Sequence, residues 1–224
     1  MFLDRYNDVP YWVVVPQLFL ALGWARAAVA HAIEPGWWAG DGVHRVLTDI
    51  EPDRLPGLGT MIHVIADATA PQTAAIVIGL QVVVAVLLAL NLRPLLGLTL
   101  GCAMNTAFIV AGAVNPSIFY LVLSTVIGLW SLERYLPVQR IELLAQGSIL
   151  PALLAVVVLL PLARTLDPDH VIEDPALVLA SCAGIVLVLS SMVLHRSAAT
   201  APTGVVADHD DDDSVDVLQL ITQY

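Results

Sequence analysis

The chain has no lysine; all nine of its basic residues are arginine. Charge is scarce, at 13% of residues, and there are only two cysteines. A soluble domain carries about 25% charged and 45–50% apolar residues. Here the apolar share is 58% and the mean hydropathy is +0.82, which excludes a water-soluble globular domain. Disorder of the whole chain is excluded too, since it needs low hydrophobicity. The cysteines, Cys102 and Cys182, sit inside apolar segments and form no Cys-x-x-Cys pair, so a dithiol redox enzyme is not expected. The net charge of -11 argues against nucleic-acid binding, which needs a basic face. No P-loop, dinucleotide fingerprint or Ser-His-Asp arrangement is present. No span carries histidines at a metal-ligand or haem spacing, so neither metal nor haem is expected.

What is present is a series of long apolar runs. A spanning helix needs about 20 mostly apolar residues, and six stretches qualify. They run over about 9–33, 73–92, 95–114, 116–132, 141–162 and 175–195. The fourth is short enough to dip rather than cross. Pro94, Pro116, Pro137 and Pro175 fall at starts or between spans, where a missing N–H costs least. The expected fold is therefore all-α and integral to the membrane. Ala28-Val29-Ala30 resembles a signal-peptide cleavage site, but the stretch before it has no positive excess and Arg26 stands just ahead of it. The first span is thus expected to be retained.

Residues 34–72 form a long loop with Trp37 and Trp38, a pair suited to the headgroup layer. An amphipathic helix is expected there from about Leu58 to Ala70. Residues 197–224 form an acidic tail, with six aspartates between Asp208 and Asp216. The tail is expected to be disordered, with 215–224 apolar enough for a short docking helix. Arginines set the orientation. A cytoplasmic N-terminus puts Arg5, Arg93, Arg134, Arg140 and Arg196 inside and Arg45, Arg54 and Arg164 outside. Both termini are expected in the cytoplasm, with the loop outside.

Polar groups inside spans are costly and mark functional candidates. Arg26, Gln81 and Asn105 come from three spans and lie at similar depth in the half nearer the loop. One reading brings them together around a polar ligand head among apolar walls. The other has Arg26 snorkelling to the surface and the two amides joining helices. His31 and Glu34 stand at the boundary, and His63 and Asp67 are four apart in the loop. A helix there would let the carboxylate orient the imidazole for proton transfer.

Several short motifs then stand in order. Gly23-Trp24-Ala25-Arg26 and Glu34-Pro35-Gly36-Trp37-Trp38-Ala39-Gly40 flank the end of the first span. Gly79-Leu80-Gln81 lies in the second, and Asn91-Leu92-Arg93-Pro94-Leu95-Leu96-Gly97 makes a short turn. Asn105, Gly112 and Asn115-Pro116-Ser117-Ile118-Phe119-Tyr120 follow. Over about residues 10–132 the chain resembles the DoxX-like membrane family, which includes the DoxD-type small subunit of thiosulfate:quinone oxidoreductase. The resemblance implies a four-helix core over 1–132 with a pocket facing quinone. Two further spans (133–196) and the tail (197–224) follow that core.

The expected function is a subunit of a membrane redox system in a bacterial plasma membrane, binding a quinone or similar lipid. Arg26, Gln81 and Asn105 would hold the head, with His31, Glu34, His63, Asp67, Asn115 and Tyr120 as further candidates. An extracytoplasmic redox partner is implied. Two alternatives are a scaffold recruiting a cytoplasmic partner through residues 208–224 and a small-solute transporter. The latter has no internal repeat to support it.

Overall fold

The computed structural model describes residues 3–49, 55, 57–163 and 173–200. The acidic run and the apolar segment after it, with the disorder and docking helix expected of them, lie outside these residues. Eight α-helices are found among the described residues: α1 Tyr11–Ile33, α2 Asp41–Asp49, α3 Leu58–Ala68, α4 Ala70–Ala89, α5 Pro94–Ala111, α6 Val114–Tyr135, α7 Val138–Leu159 and α8 Pro175–Thr200. Six of them, all but α2 and α3, are long and apolar enough to cross a membrane. The fourth span is long enough to cross. The α6 helix has 22 residues, about 33 Å at 1.5 Å per residue, which matches a hydrocarbon core of about 30 Å. The short helix over 58–68 forms as expected. The α2 helix and a 3₁₀ turn at Leu3–Tyr6 are too short and polar to show in the apolar pattern.

Helices are the only open-ended way to satisfy every backbone group in lipid, and here they close into a ring. The α1 helix packs on α4, α4 on α5, α5 on α6, and α6 back on α1. The faces between them are narrow. Ala21 and Ala28 of α1, Ala74 and Ala85 of α4, and Gly97 and Gly101 of α5 are buried. Small residues let helix backbones approach in a membrane, where water provides no drive to associate. The opposite faces carry Val15, Phe19, Leu22 and Val29 on α1 and many like them elsewhere, all exposed. In water such a surface would drive association; in a bilayer it meets lipid. The α7 and α8 helices form a tight antiparallel hairpin beside α5 and α6.

Two turns explain how the ring closes at opposite ends. Gly112 ends α5 with φ +104, a left-handed conformation that favours glycine. The chain then enters α6 at once. At the other end Asn91 takes φ 47, which asparagine tolerates because its side chain bonds locally. Asn91 Nδ2 donates to Arg5 O (2.8 Å). Gln17, fully buried, donates from Nε2 to Leu88 O (2.9 Å) and Asn91 Oδ1 (3.2 Å). Tyr6 donates to Leu88 O (2.9 Å) and Ala89 O (2.8 Å), and burial pushes its phenol up from the ordinary value. These side chains satisfy the last carbonyls of α4, which have no partner within the helix. This end is called the base below; the end carrying residues 34–69 is the loop end.

Candidate functional site: a polar chain at the loop end of the bundle

Three contacts fix the helix register. A Cβ on Gly97 would lie 3.0 Å from the Leu88 side chain, and one on Gly101 would lie 3.5 Å from Trp24 Nε1 and 3.6 Å from Val84. The α4 and α5 helices run antiparallel, so residues 81 and 105 lie level, one turn nearer the loop end than Val84 and Gly101. Asn105 follows Gly101 by four residues, so it shares the face turned to α1 and α4. Gln81 and Asn105 are both fully buried, at 2% and 1% exposure. The Nδ2 of Asn105 has no hydrogen-bond partner among the described residues. A buried donor left unpaired costs about 1–3 kcal/mol, a state this amide shares with the Ser131 hydroxyl of α6.

Gln81 is joined to the loop end. His31 Nδ1 lies 3.2 Å from Gln81 Oε1, and an amide oxygen only accepts, so the Nδ1–H donates. The imidazole is stacked on the Trp37 indole, with ring centroids 4.0 Å apart. Trp37 is buried, and its Nε1 donates to Glu34 Oε2 (2.6 Å). Arg45 pairs with Glu34 Oε1. The result is a chain of polar contacts: Arg45, Glu34, Trp37 stacked on His31, and Gln81 in the interior. Glu34 has its pKa lowered, first by the hydrogen bond from Arg45, then by that from Trp37. Gly42 permits this closure, because a Cβ there would lie 2.6 Å from the indole. The two tryptophans therefore divide. Trp37 folds in, while Trp38 stays exposed and donates to Ala32 O (3.0 Å).

The other expected site residues fall in different places. Arg26 does not join Gln81 and Asn105. Buried Trp24 and Ala28 flank it by two residues each, which turns Arg26 to the opposite side of α1, where it is exposed. The expected His63–Asp67 pair does not form either. Asp67 pairs with His44 of α2, while His63 Nε2 lies 3.1 Å from Ala111 O at the end of α5. Two short helices lying side by side give Asp67 a nearer partner than its own helix does. Tyr120 is a packing residue against Trp24, with centroids 5.7 Å apart. Asn115 lies in the first turn of α6, and its side chain is outside the described set.

Sequence reasoning missed Gln17, Trp37 and Arg45 as parts of polar contacts. Gln17 was findable by the rule that singled out Gln81, a lone amide inside a span. Arg45 carries no such signal, because its role depends on the fold of the 34–49 segment. Among the described residues no group of three or more His, Cys, Asp or Glu is placed to hold a metal ion. No protein-family model, curated protein or solved structure matches this chain.

Proposed function

We propose that this chain is a quinone- or lipid-binding subunit of a membrane redox system, with the carbonyl head of the ligand held at the loop end of the bundle. One observation carries the reading: the unpaired Asn105 amide, fully buried and level with Gln81. A carbonyl oxygen is the acceptor that such a donor lacks. The His31–Gln81 contact lies on the same side and would orient the Gln81 amide towards a bound head. The apolar helix faces suit the ligand's tail. The DoxX-like resemblance over residues 10–132 points the same way. Residues 34–49 would face a redox partner, and the arginine distribution supports an orientation with that side outside and both termini within.

The test is to purify the protein in mild detergent, extract it with organic solvent and quantify quinones by mass spectrometry. The expected result is near-equimolar quinone, falling about tenfold in Asn105→Leu and Gln81→Leu, the loss of one hydrogen bond to a bound head. A quinone-free extract, or content unchanged in both variants, overturns the reading.

A further inference from the structure

The α7–α8 hairpin touches the bundle unevenly. At the loop end Ala176 and Val178 of α8 are buried, packed with Val110 and with Ile109, Val114 and Leu121 respectively. Towards the base the hairpin diverges from α5 and α6. The gap is a cleft of about 480 Å³, lined by residues such as Leu95, Thr99, Gly128, Leu132, Ile141 and Val193.

The cleft's depth is that of one leaflet. Its lining runs over 95–102 on α5, 124–133 on α6, 141–148 on α7 and 186–193 on α8. At 1.5 Å per residue this is about 10–14 Å, against about 15 Å for half a hydrocarbon core. Four of its hydroxyls are already used. Thr99 donates to Leu95 O and Thr125 to Leu121 O, both at 2.8 Å. Ser148 and Ser190 bond each other at 2.7 Å. The wall therefore offers an apolar chain good contact and a polar solute almost nothing.

The mouth is basic. Each of the four lining helices has an arginine at its base end: Arg93 before α5, Arg134 on α6, Arg140 on α7 and Arg196 on α8. Arg93, Arg134 and Arg140 are exposed, and their side chains make no ion pair or hydrogen bond among the described residues. Glu133 also lines the mouth, and Glu142 stands next to Ile141 within the lining stretch of α7. Arginines outnumber these acids there.

We infer that the cleft binds one anionic glycerophospholipid from the leaflet at the base. An acyl chain fills the gap between bundle and hairpin, and the phosphate sits among Arg93, Arg134 and Arg140. Basic pockets between transmembrane helices are a recognised form of anionic headgroup site, and the volume falls within the range of ordinary ligand pockets. The site opens on Leu95, Thr99 and Cys102 of α5, which are not fully buried, whereas Gly97, Gly101 and Asn105 are buried in the bundle and Leu98 borders both. It is thus independent of the quinone reading.

The experiment is native mass spectrometry of the full chain released from nanodiscs of phosphatidylglycerol and phosphatidylethanolamine in equal parts. The intact protein should retain one phosphatidylglycerol in preference to phosphatidylethanolamine. In the Arg134→Gln/Arg140→Gln double variant the preference should fall about thirtyfold, the effect of two arginines beside an anionic head. Gly128→Leu should reduce retention of either lipid, because a Cβ at Gly128 meets open space and its side chain can occupy the cleft. An unchanged melting temperature in Gly128→Leu separates filling from misfolding. Arg26→Gln, far from the mouth, should retain the lipid normally. Equal retention of the two lipids by the intact protein, or an unaltered preference in the arginine variant, overturns the proposal. So does full lipid retention in a folded Gly128→Leu variant.

Discussion

His31 Nδ1 lies 3.2 Å from Gln81 Oε1, joining the end of α1 to the interior of α4. An imidazole at the end of the span is thereby coupled to an amide that water does not reach. His31→Phe keeps the stack on Trp37 and removes the donor. The expected outcome is a correctly folded protein with quinone content reduced several-fold, measured in the same solvent extract. Full quinone content would show that His31 only braces the loop.

Asn105 gives a prediction with two opposed signs. Its Nδ2 is buried without a partner, so Asn105→Leu removes a desolvated polar group of similar volume. The ligand-free protein should become more stable by about 1 kcal/mol, since an unpaired donor costs 1–3 kcal/mol and part is regained by packing. Ligand retention should fall at the same time. A thermal melt in detergent, with and without added quinone analogue, reads both. A stability loss with no change in retention would mean that Asn105 serves packing alone.

Arg26 is expected to be silent. It faces away from the bundle, between buried Trp24 and Ala28. Arg26→Leu should leave quinone content within twofold of the parent and ease insertion, because arginine within a span costs about 2.5–3.5 kcal/mol on the insertion scale. A tenfold fall would place Arg26 back at the ligand.

Much of the architecture was legible from hydropathy. Six apolar runs gave six spanning helices, because lipid leaves a long apolar segment no other open-ended choice. What could not be read was which way a side chain faces. Arg26 lies at the depth expected for it, yet its helix turns it outward. Depth follows from counting along the chain, whereas facing depends on which neighbours the helix meets. The moments of these helices give no help, since α1 and α4 are apolar on all sides. Partner choice in the 34–69 segment was equally hidden. Asp67 bonds His44 rather than His63, a choice made by two polar helices that apolar periodicity does not report.

Glu34 predicts a pH dependence. Its pKa is lowered from 4.5, chiefly by the Arg45 hydrogen bond and then by that from Trp37. A carboxyl whose folded pKa is depressed adds stability that is fully present above its unfolded value and is lost as pH falls through the folded one. Hydrogen exchange over residues 34–49 should therefore show constant protection above about pH 5, near the ordinary carboxylate range, and rising exchange at lower pH. Glu34→Gln should exchange faster at neutral pH and show little further change on acidification. Added salt should weaken the protection, because the Arg45–Glu34 pair is partly exposed. A pH-independent parent protein would contradict the assignment.

Gly23 and Tyr120 form a close helix contact in the ring. A Cβ on Gly23 would run into the Tyr120 hydroxyl, with ring carbons at 2.8 and 2.9 Å. The tyrosine ring lies against Trp24 and is half-buried, so it has little room to retreat. Gly23→Ala should therefore push α6 from α1 and destabilise the bundle by about 1–3 kcal/mol, the usual cost of overpacking. Tyr120→Leu alone should cost a similar amount through lost packing, since the shorter side chain leaves the Trp24 face uncovered. Together the two substitutions should cost less than their sum, because the leucine gives the new methyl space. A coupling of 0.5 kcal/mol or more is the ordinary mark of residues in direct contact. Strict additivity in detergent melts would mean that α1 and α6 do not meet at this point.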